Sequence, residues 1–547
     1  MKKILLGNEA IVQGALESGV DFVSGYPGCP AAEIGDEFLK IGKENGVYAE
    51  WSVNEKIALE AAIGASFSGL KSLVNMKSFG LNVCSDSLLP LAYTGTKAGM
   101  VIVAADDPSC HSSAQSEQNS RSYAYLSHIP MLEPADSQEC YDFTKLGFEI
   151  SEKFKMPVIL RITTRVAHQR AVVEINPATR IQHSTPKFVK NPHQFSTMPP
   201  RVLEMKKELL EKIEKIRDFA EKSEINKTNG KKDKVGIIAS GVSYLHTMEA
   251  LKELKLDLPV LELGFFYPLP EKKIKDFIED LKKVLIVEEL EGYIEKEIKA
   301  IAKDINPKLE IFGKNVLPEI GELDTEKVCI ALLKVTGKKF VESESKQLNL
   351  PRRTARLCEG CPYWFIFPTI KRVAPDAIFG GDIGCNMIAG LAPHNIQDYL
   401  FSMGASLGIS HGVKKSLQLG SGQETSQKVI SIIGDGTFFH SGIPGLINAV
   451  YNKSNQLVVV LDNRITAMTG HQANPGMGKT GSGEEAEELK IEEIAKACGV
   501  KNIKVLDPIN MKDLESSVKE FLDKEEVSMI ICRRICVLLE RRNKRNE

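Results

Sequence analysis

Residues 428–463, KVISIIGDGTFFHSGIPGLINAVYNKSNQLVVVLDN, decide the fold. The apolar run from Val429 to Ile433 reads as a buried strand, and Gly434-Asp435-Gly436 as a turn lean enough for phosphate oxygens to approach the backbone. A helix is expected from about Gly442 to Tyr451, then a second apolar strand ending in Asp462-Asn463. This order carries Asp435 and Asn463 to the carboxyl edge of adjacent parallel strands, where open α/β sheets bind ligands. The helix N-terminus favours an anion, while a carboxylate and an amide oxygen suit a hard cation bridging two phosphates. A bare Gly-Asp-Gly is common and fits a tight turn in any Rossmann-like unit. The 28 positions separating Asp435 from Asn463, with both strands in place, make the segment specific.

The same strand–helix alternation runs through the rest of the chain, whose 547 residues exceed what one core accommodates. Residues 1–175 alternate apolar strands with helices, the segment from Asn54 to Phe67 being one helix and MPVILRITT (156–164) a closing buried strand. Residues 176–233 lose periodicity, pass through NPHQFSTMPPR and continue as a Lys/Glu-rich amphipathic helix, which reads as a connection with a solvated face. A second α/β unit occupies 234–345, with VGIIASG, LPVLELG and KVLIVEEL as strands; a third occupies 346–547, with MIICRRICVLL (529–539) as a late strand. The fold class is therefore α/β, three doubly wound parallel-sheet domains.

Hydrophobic residues make up 43% and charged residues 26%, with a net charge of −2 and no broad basic region, so nucleic acid is not an expected partner. No apolar run approaches the ~20 residues of a membrane helix, and MKKILLGNEA lacks a signal-peptide core. The reading predicts a cytoplasmic protein without a membrane partner. Eleven scattered cysteines are expected to be reduced and mostly buried.

Several segments, taken in order, resemble one family: SGYPGCPAAEI (24–34), WSVNEKIALE (51–60), NMKSFGLNV (75–83), ADDPSCHSSAQSEQNSR (105–121), LCEGCPYW (357–364), GDIGCN (381–386), the GDG segment and LDNRITAMTGHQANPG. Together they are similar to the α subunits of indolepyruvate:ferredoxin oxidoreductases, within the thiamine-diphosphate-dependent 2-oxoacid:ferredoxin oxidoreductases. The likeness spans nearly the whole chain. It implies three domains of the thiamine-diphosphate enzyme type: pyrimidine-binding, transketolase C-terminal-like and diphosphate-binding. It implies oxidative decarboxylation of an aryl 2-oxo acid such as indolepyruvate, with coenzyme A as acyl acceptor and ferredoxin as electron acceptor. A β subunit and a hetero-oligomer built on an α dimer follow from the same likeness.

By that resemblance Asp435, Asn463 and the backbone carbonyl of Ile465 hold Mg²⁺, and Gly434, Asp435 and Gly436 face the diphosphate. Glu55 is the acid that hydrogen-bonds the aminopyrimidine ring and favours the tautomer that deprotonates the thiazolium carbon; it also reads simply as a first-turn acid stabilised by the helix dipole. His111 and Arg121 lie on a polar Ser/Gln-rich loop where the family places substrate-facing groups, Arg121 being suited to grip a carboxylate, or else on a merely exposed loop. Gly384 and Cys385 pack by the thiazolium ring, or form another tight turn with a buried thiol.

Two departures stand out. Cys29 occupies a substrate-reaching turn where the family more often has Thr, and a thiol donates a weaker hydrogen bond. Family members also continue past the strand matching ICRRICVLLERR into a ferredoxin-like domain with two cysteine runs for [4Fe–4S] clusters, whereas this sequence stops at Glu547 and holds no C-x₂-C-x₂-C-x₃-C run. Cluster ligands are therefore expected on ferredoxin or a separate ferredoxin-like subunit. Cys358-x₂-Cys361 has chelate spacing and Cys532 with Cys536 offers a second pair; two structural pairs are the default, because positions four apart in a strand diverge. The rival expectations are a non-oxidative thiamine-diphosphate-dependent 2-oxo acid decarboxylase or carboligase, and a non-catalytic cofactor-binding subunit.

Overall fold

The runs read as buried strands become the central strands of three sheets in the computed structural model, which describes residues 1–176, 185–338, 354–419 and 427–546. The expected onset of the last domain at 346 lies outside the described residues. The chain divides into two compact units, Met1–Ser345 and Lys346–Glu547.

The first unit holds two of these sheets, beside a two-stranded antiparallel sheet of Lys2–Leu6 and Arg170–Glu174. In the larger, the spatial order is Phe265–Tyr267, Met131–Leu132, Val158–Thr163, Met100–Asp106, Ser72–Lys77, Phe22–Gly25 and Tyr48–Trp51, parallel except for the antiparallel edge strand Phe265–Tyr267. Met100–Asp106 and Val158–Thr163 are buried along their whole length, which is why they appear as unbroken apolar runs rather than alternating patterns. The smaller sheet orders Glu310–Phe312, Lys283–Val287, Val235–Ser240, Val260–Leu263 and Asn226–Asn229, the last antiparallel.

The expected connection is more structured than its sequence suggests. Its helix, Arg201–Lys222, buries the stripe Met205, Leu209, Ile213, Ile216 and Ala220. Asn226–Asn229, inside the expected linker, already belongs to the second sheet, and Phe265–Tyr267, from the expected middle domain, extends the first. Apolar residues from both regions, among them Phe143, Phe265 and Ile274, fill one core, so the first and middle segments form a single unit.

The second unit contains a wholly parallel sheet ordered Ile378–Gly380, Val429–Gly434, Leu457–Asp462, Ser528–Arg533 and Asn502–Leu506. Gly434 stands opposite Leu461, so Asp435 and Asn463 leave neighbouring strands at the same edge. The expected late strand ends at Arg533; Val537–Asn546 is helical and buries Leu539. Among the described residues no helix is long and apolar enough to cross a membrane.

Candidate functional site

The Gly-Asp-Gly segment is not a free turn. Gly434 is extended (φ −79°) and caps a helical turn Asp435–Thr437, which runs through a π-turn at Phe438–Gly442 into the helix Ile443–Tyr451. The helix thus starts seven residues before the expected Gly442, and Asp435 occupies its first position, beside amides that lack helical partners. A Cβ on Gly436 would lie 2.9 Å from Thr466 Oγ1, so any larger residue there must displace that side chain.

Asp435 and Asn463 converge on one donor. The amide N–H of Ile465 donates to Asn463 Oδ1 at 3.1 Å and also to the Asp435 carboxylate. Asn474 Nδ2 donates to Asp435 Oδ2 at 3.0 Å, and Asn463 Nδ2 donates to the Tyr363 hydroxyl at 3.0 Å. Burial, followed by the neighbouring Asp462 carboxylate, lifts Asp435 to about 7. Asp462 itself is neutralised by Arg533 at 2.7 Å. Two buried oxygen acceptors sharing one N–H, one of them a carboxylate that burial disfavours as an anion, fit a hard cation with oxygen ligands. Among the described residues no three His, Cys, Asp or Glu side chains are grouped to hold a metal ion, so the candidate donors are one carboxylate, one amide oxygen and one backbone carbonyl.

The Gly381–Cys385 segment is fastened beside this helix. Thr437 Oγ1 donates to Ile383 O at 3.0 Å. The Asp382 carboxylate accepts from the amides of Ile383, Gly404 and Ser406 at 2.9, 2.9 and 3.1 Å, and burial lifts it to about 6. Gly384 holds φ +131°, a conformation open to glycine, and delivers Cys385 toward Asp435.

The cysteines do not fall into two structural pairs. Cys532 is buried in its strand, but Cys536 lies beyond that strand, and its amide donates to Asn463 O at 3.1 Å. Burial, then the other thiols, push Cys385 up to about 12, with Cys361, Cys536 and Cys358 as neighbours; Cys361 rises to about 11 with Cys358 and Cys536 beside it. The Cys358, Cys361 and Cys536 thiols therefore all act on Cys385, and Cys536 is tied by its amide to Asn463. Spacing alone does not associate Cys385 with these thiols, because the turn that delivers it is fixed only in three dimensions.

In the first unit, Glu55 begins the helix Glu55–Phe67 after Asn54, whose side chain accepts from Ile57 N at 2.9 Å. It is buried, and its Cγ packs over Gly80. His111 is half exposed on its loop, 3.5 Å from Glu322. Arg121 requires a correction. It opens the helix Arg121–Ser127 and is 1% exposed. Its Nε and Nη2 donate to the two Glu133 oxygens at 2.6 Å each, and Nη1 to Glu288 Oε2 at 3.0 Å. Burial alone would raise Glu133, but Arg121 and Arg161 hold it at about 2. A guanidinium so saturated closes an internal ion-pair network and has no fork left for a substrate carboxylate.

Residues 382–532 match the family described as thiamine pyrophosphate enzyme, C-terminal TPP binding domain. Residues 13–227 match pyruvate flavodoxin/ferredoxin oxidoreductase, thiamine diP-bdg, and residues 226–359 match the indolepyruvate oxidoreductase domain. Indolepyruvate oxidoreductase subunit IorA of Methanothermobacter thermautotrophicus is 44% identical over 548 residues, covering 98% of this chain and 87% of the relative. The same-named subunit of Pyrococcus horikoshii is 42% identical over 558 residues, covering 98% and 86%. A solved 2-oxoglutarate:ferredoxin oxidoreductase from Magnetococcus marinus superposes with a TM-score of 0.51 at 18% identity, covering 61% of this chain and 65% of that one, a likeness of fold.

Proposed function

Since the chain belongs to the family of indolepyruvate oxidoreductase subunits IorA, we propose that it is the cofactor-binding α subunit of a cytoplasmic aryl 2-oxo acid:ferredoxin oxidoreductase. The reaction consumes an aryl 2-oxo acid such as indolepyruvate, coenzyme A and two oxidised ferredoxins, and releases aryl-acetyl-CoA, CO₂, a proton and two reduced ferredoxins. The observation that carries this reading is the meeting of Asp435 and Asn463 at the Ile465 amide, inside the segment that matches a thiamine-pyrophosphate-binding family.

Bound thiamine diphosphate supplies a nucleophilic carbon and a sink for the electrons left when the carboxylate departs. In the proposal, this chain's residues do the rest. Asp435, Asn463 and the Ile465 carbonyl hold Mg²⁺, while Gly434 and Gly436 keep the backbone bare enough for the diphosphate. Gly384 and Cys385 border the ring-facing side. Glu55 holds a proton at the aminopyrimidine, and His111 faces the substrate. A β subunit and ferredoxin or a ferredoxin-like subunit complete the enzyme, as a hetero-oligomer built on an α dimer.

Anaerobic assay of the full chain with its co-expressed partner tests the proposal. Acyl-CoA formed only with coenzyme A and ferredoxin supports it; free aldehyde released without an acceptor would establish the non-oxidative decarboxylase instead.

A second reading concerns the electron carrier. The gathering of Cys358, Cys361, Cys385 and Cys536 favours thiolate ligands for an iron–sulfur cluster on this chain, and not solely on a separate subunit. The thiols are not in a metal-holding arrangement among the described residues, so the reading requires them to close around the cluster. Iron and sulfide content of the anaerobically purified chain decides it.

A further inference from the structure

The carboxyl edge of the first unit's large sheet carries a cation that the functions assigned so far leave unused. Lys77 ends the strand Ser72–Lys77 and caps the helix Ser78–Thr94. Its strand lies between Phe22–Gly25 and Met100–Asp106, so Lys77 sits between the Gly28-Cys29 turn on one side and Asp107 on the other. A Cβ on Gly28 would stand 2.9 Å from Lys77 Cβ, which places that turn directly against the lysine stem.

Among the described residues the ammonium is anchored without a carboxylate in ion-pair distance. It donates to Ser112 O at 2.9 Å, a carbonyl and not a carboxylate, and lies 5.2 Å from the Phe79 ring centroid. The acid beside it, Asp107, is already satisfied. It accepts from the Ser112 amide at 2.8 Å and from the Ser112, Ser113 and Thr164 hydroxyls at 3.1, 2.6 and 2.6 Å. An ammonium has three N–H donors, and Ser112 takes one. Burial pushes Lys77 below its ordinary value, with Asp107, Cys29 and Cys110 opposing, as expected of a desolvated cation. Three residues along the same helix, Gly80 packs against Glu55, so the lysine and the proposed cofactor acid flank one helical turn.

We propose that Lys77 receives the carboxylate of the 2-oxo acid, the role that Arg121's ion pairs deny it, with Cys29 beside it on the same edge. The assignment rests on the function proposed above. A charge-assisted hydrogen bond to a half-buried ammonium favours a monoanionic substrate. A dicarboxylic 2-oxo acid would bring a second negative charge toward Asp107, Glu33 and Asp36, which already act on the Cys29 thiol.

The test is equilibrium binding of an aryl pyruvate and of its uncharged carboxamide to the full chain, loaded with thiamine diphosphate and Mg²⁺ and combined with its partner. The unaltered protein should prefer the carboxylate by about 10- to 100-fold. Lys77→Gln should erase that preference while binding the carboxamide and the cofactor as before, and Lys77→Arg should restore most of it. If Lys77→Gln keeps the preference, even with both affinities reduced, the lysine only holds the Ser112 loop and the assignment is wrong. An unaltered complex that binds the cofactor but neither ligand overturns the proposed function together with this assignment.

Discussion

Replacing Gly80 with alanine would push a methyl group into space that Glu55 occupies. The new Cβ would stand 2.7 Å from Glu55 Cγ and 2.8 Å from Met76 Cβ, both shorter than any carbon contact a folded protein tolerates. Met76 Cβ is fixed by its place in the strand Ser72–Lys77, so the Glu55 side chain or the helix must yield. Overpacking of this kind costs about 1–3 kcal/mol, and exchanging glycine for alanine in a helix returns about 1 kcal/mol. Net destabilisation should therefore stay within roughly 0–2 kcal/mol, whereas displacing a catalytic group by an ångström costs about 100-fold in rate. Thermal unfolding of the full chain and anaerobic acyl-CoA formation should separate: a melting temperature nearly unchanged, a rate strongly reduced. Glu55→Gln, which alters charge without crowding, should reproduce the rate loss. Full activity in Gly80→Ala with a raised melting temperature would refute the reasoning, because it would mean either that the methyl group fits or that the position of Glu55 is immaterial.

Other consequences follow from charge. Asp435, lifted from its ordinary 3.8 to about 7, is protonated in the folded chain where the unfolded chain has already ionised, so its contribution to cofactor-free stability is fully present below about pH 4 and is lost as pH rises through 7, by up to roughly 4 kcal/mol; Asp435→Asn should remove that component of the dependence in urea melts, and an unchanged profile would contradict it. Mg²⁺ must displace the same proton, so its affinity, followed by calorimetry with thiamine diphosphate present, should strengthen as pH rises to about 7 and level off above. Arg121→Met leaves Glu133 to Arg161 and Ser240 and deprives Glu288 of its guanidinium partner, and should cost about 3–5 kcal/mol; a rise in KM with stability intact would return Arg121 to the substrate. Cys361→Ser should lower iron and sulfide content if the four thiols ligate a cluster, and equal content in both proteins would dispose of that reading.

What could be read from the sequence was whatever depends on neighbours along the chain. Val429–Gly434 and Leu457–Asp462 show as apolar runs because parallel strands are buried on both faces, and once their ends are known the register alone brings Asp435 beside Asn463. Asn226–Asn229 escaped because an antiparallel edge strand of polar residues carries no such run. Arg121 misled for a different reason. It follows the polar stretch SSAQSEQNS, yet its partners lie 12 and 167 positions away, and nothing local distinguishes a guanidinium that two distant carboxylates will neutralise from one that solvent will. The same holds for Tyr363 and Asn463, 100 positions apart, and for Cys536 against Asn463. Lys77 lies between these cases: its place at the carboxyl edge follows from the end of a strand, but its lack of a carboxylate partner among the described residues follows from Asp107 being claimed by Ser112, Ser113 and Thr164. A charged residue at a strand's end is thus a candidate from sequence, and whether it is available to a ligand depends on which of its neighbours are already satisfied, a property of the folded chain.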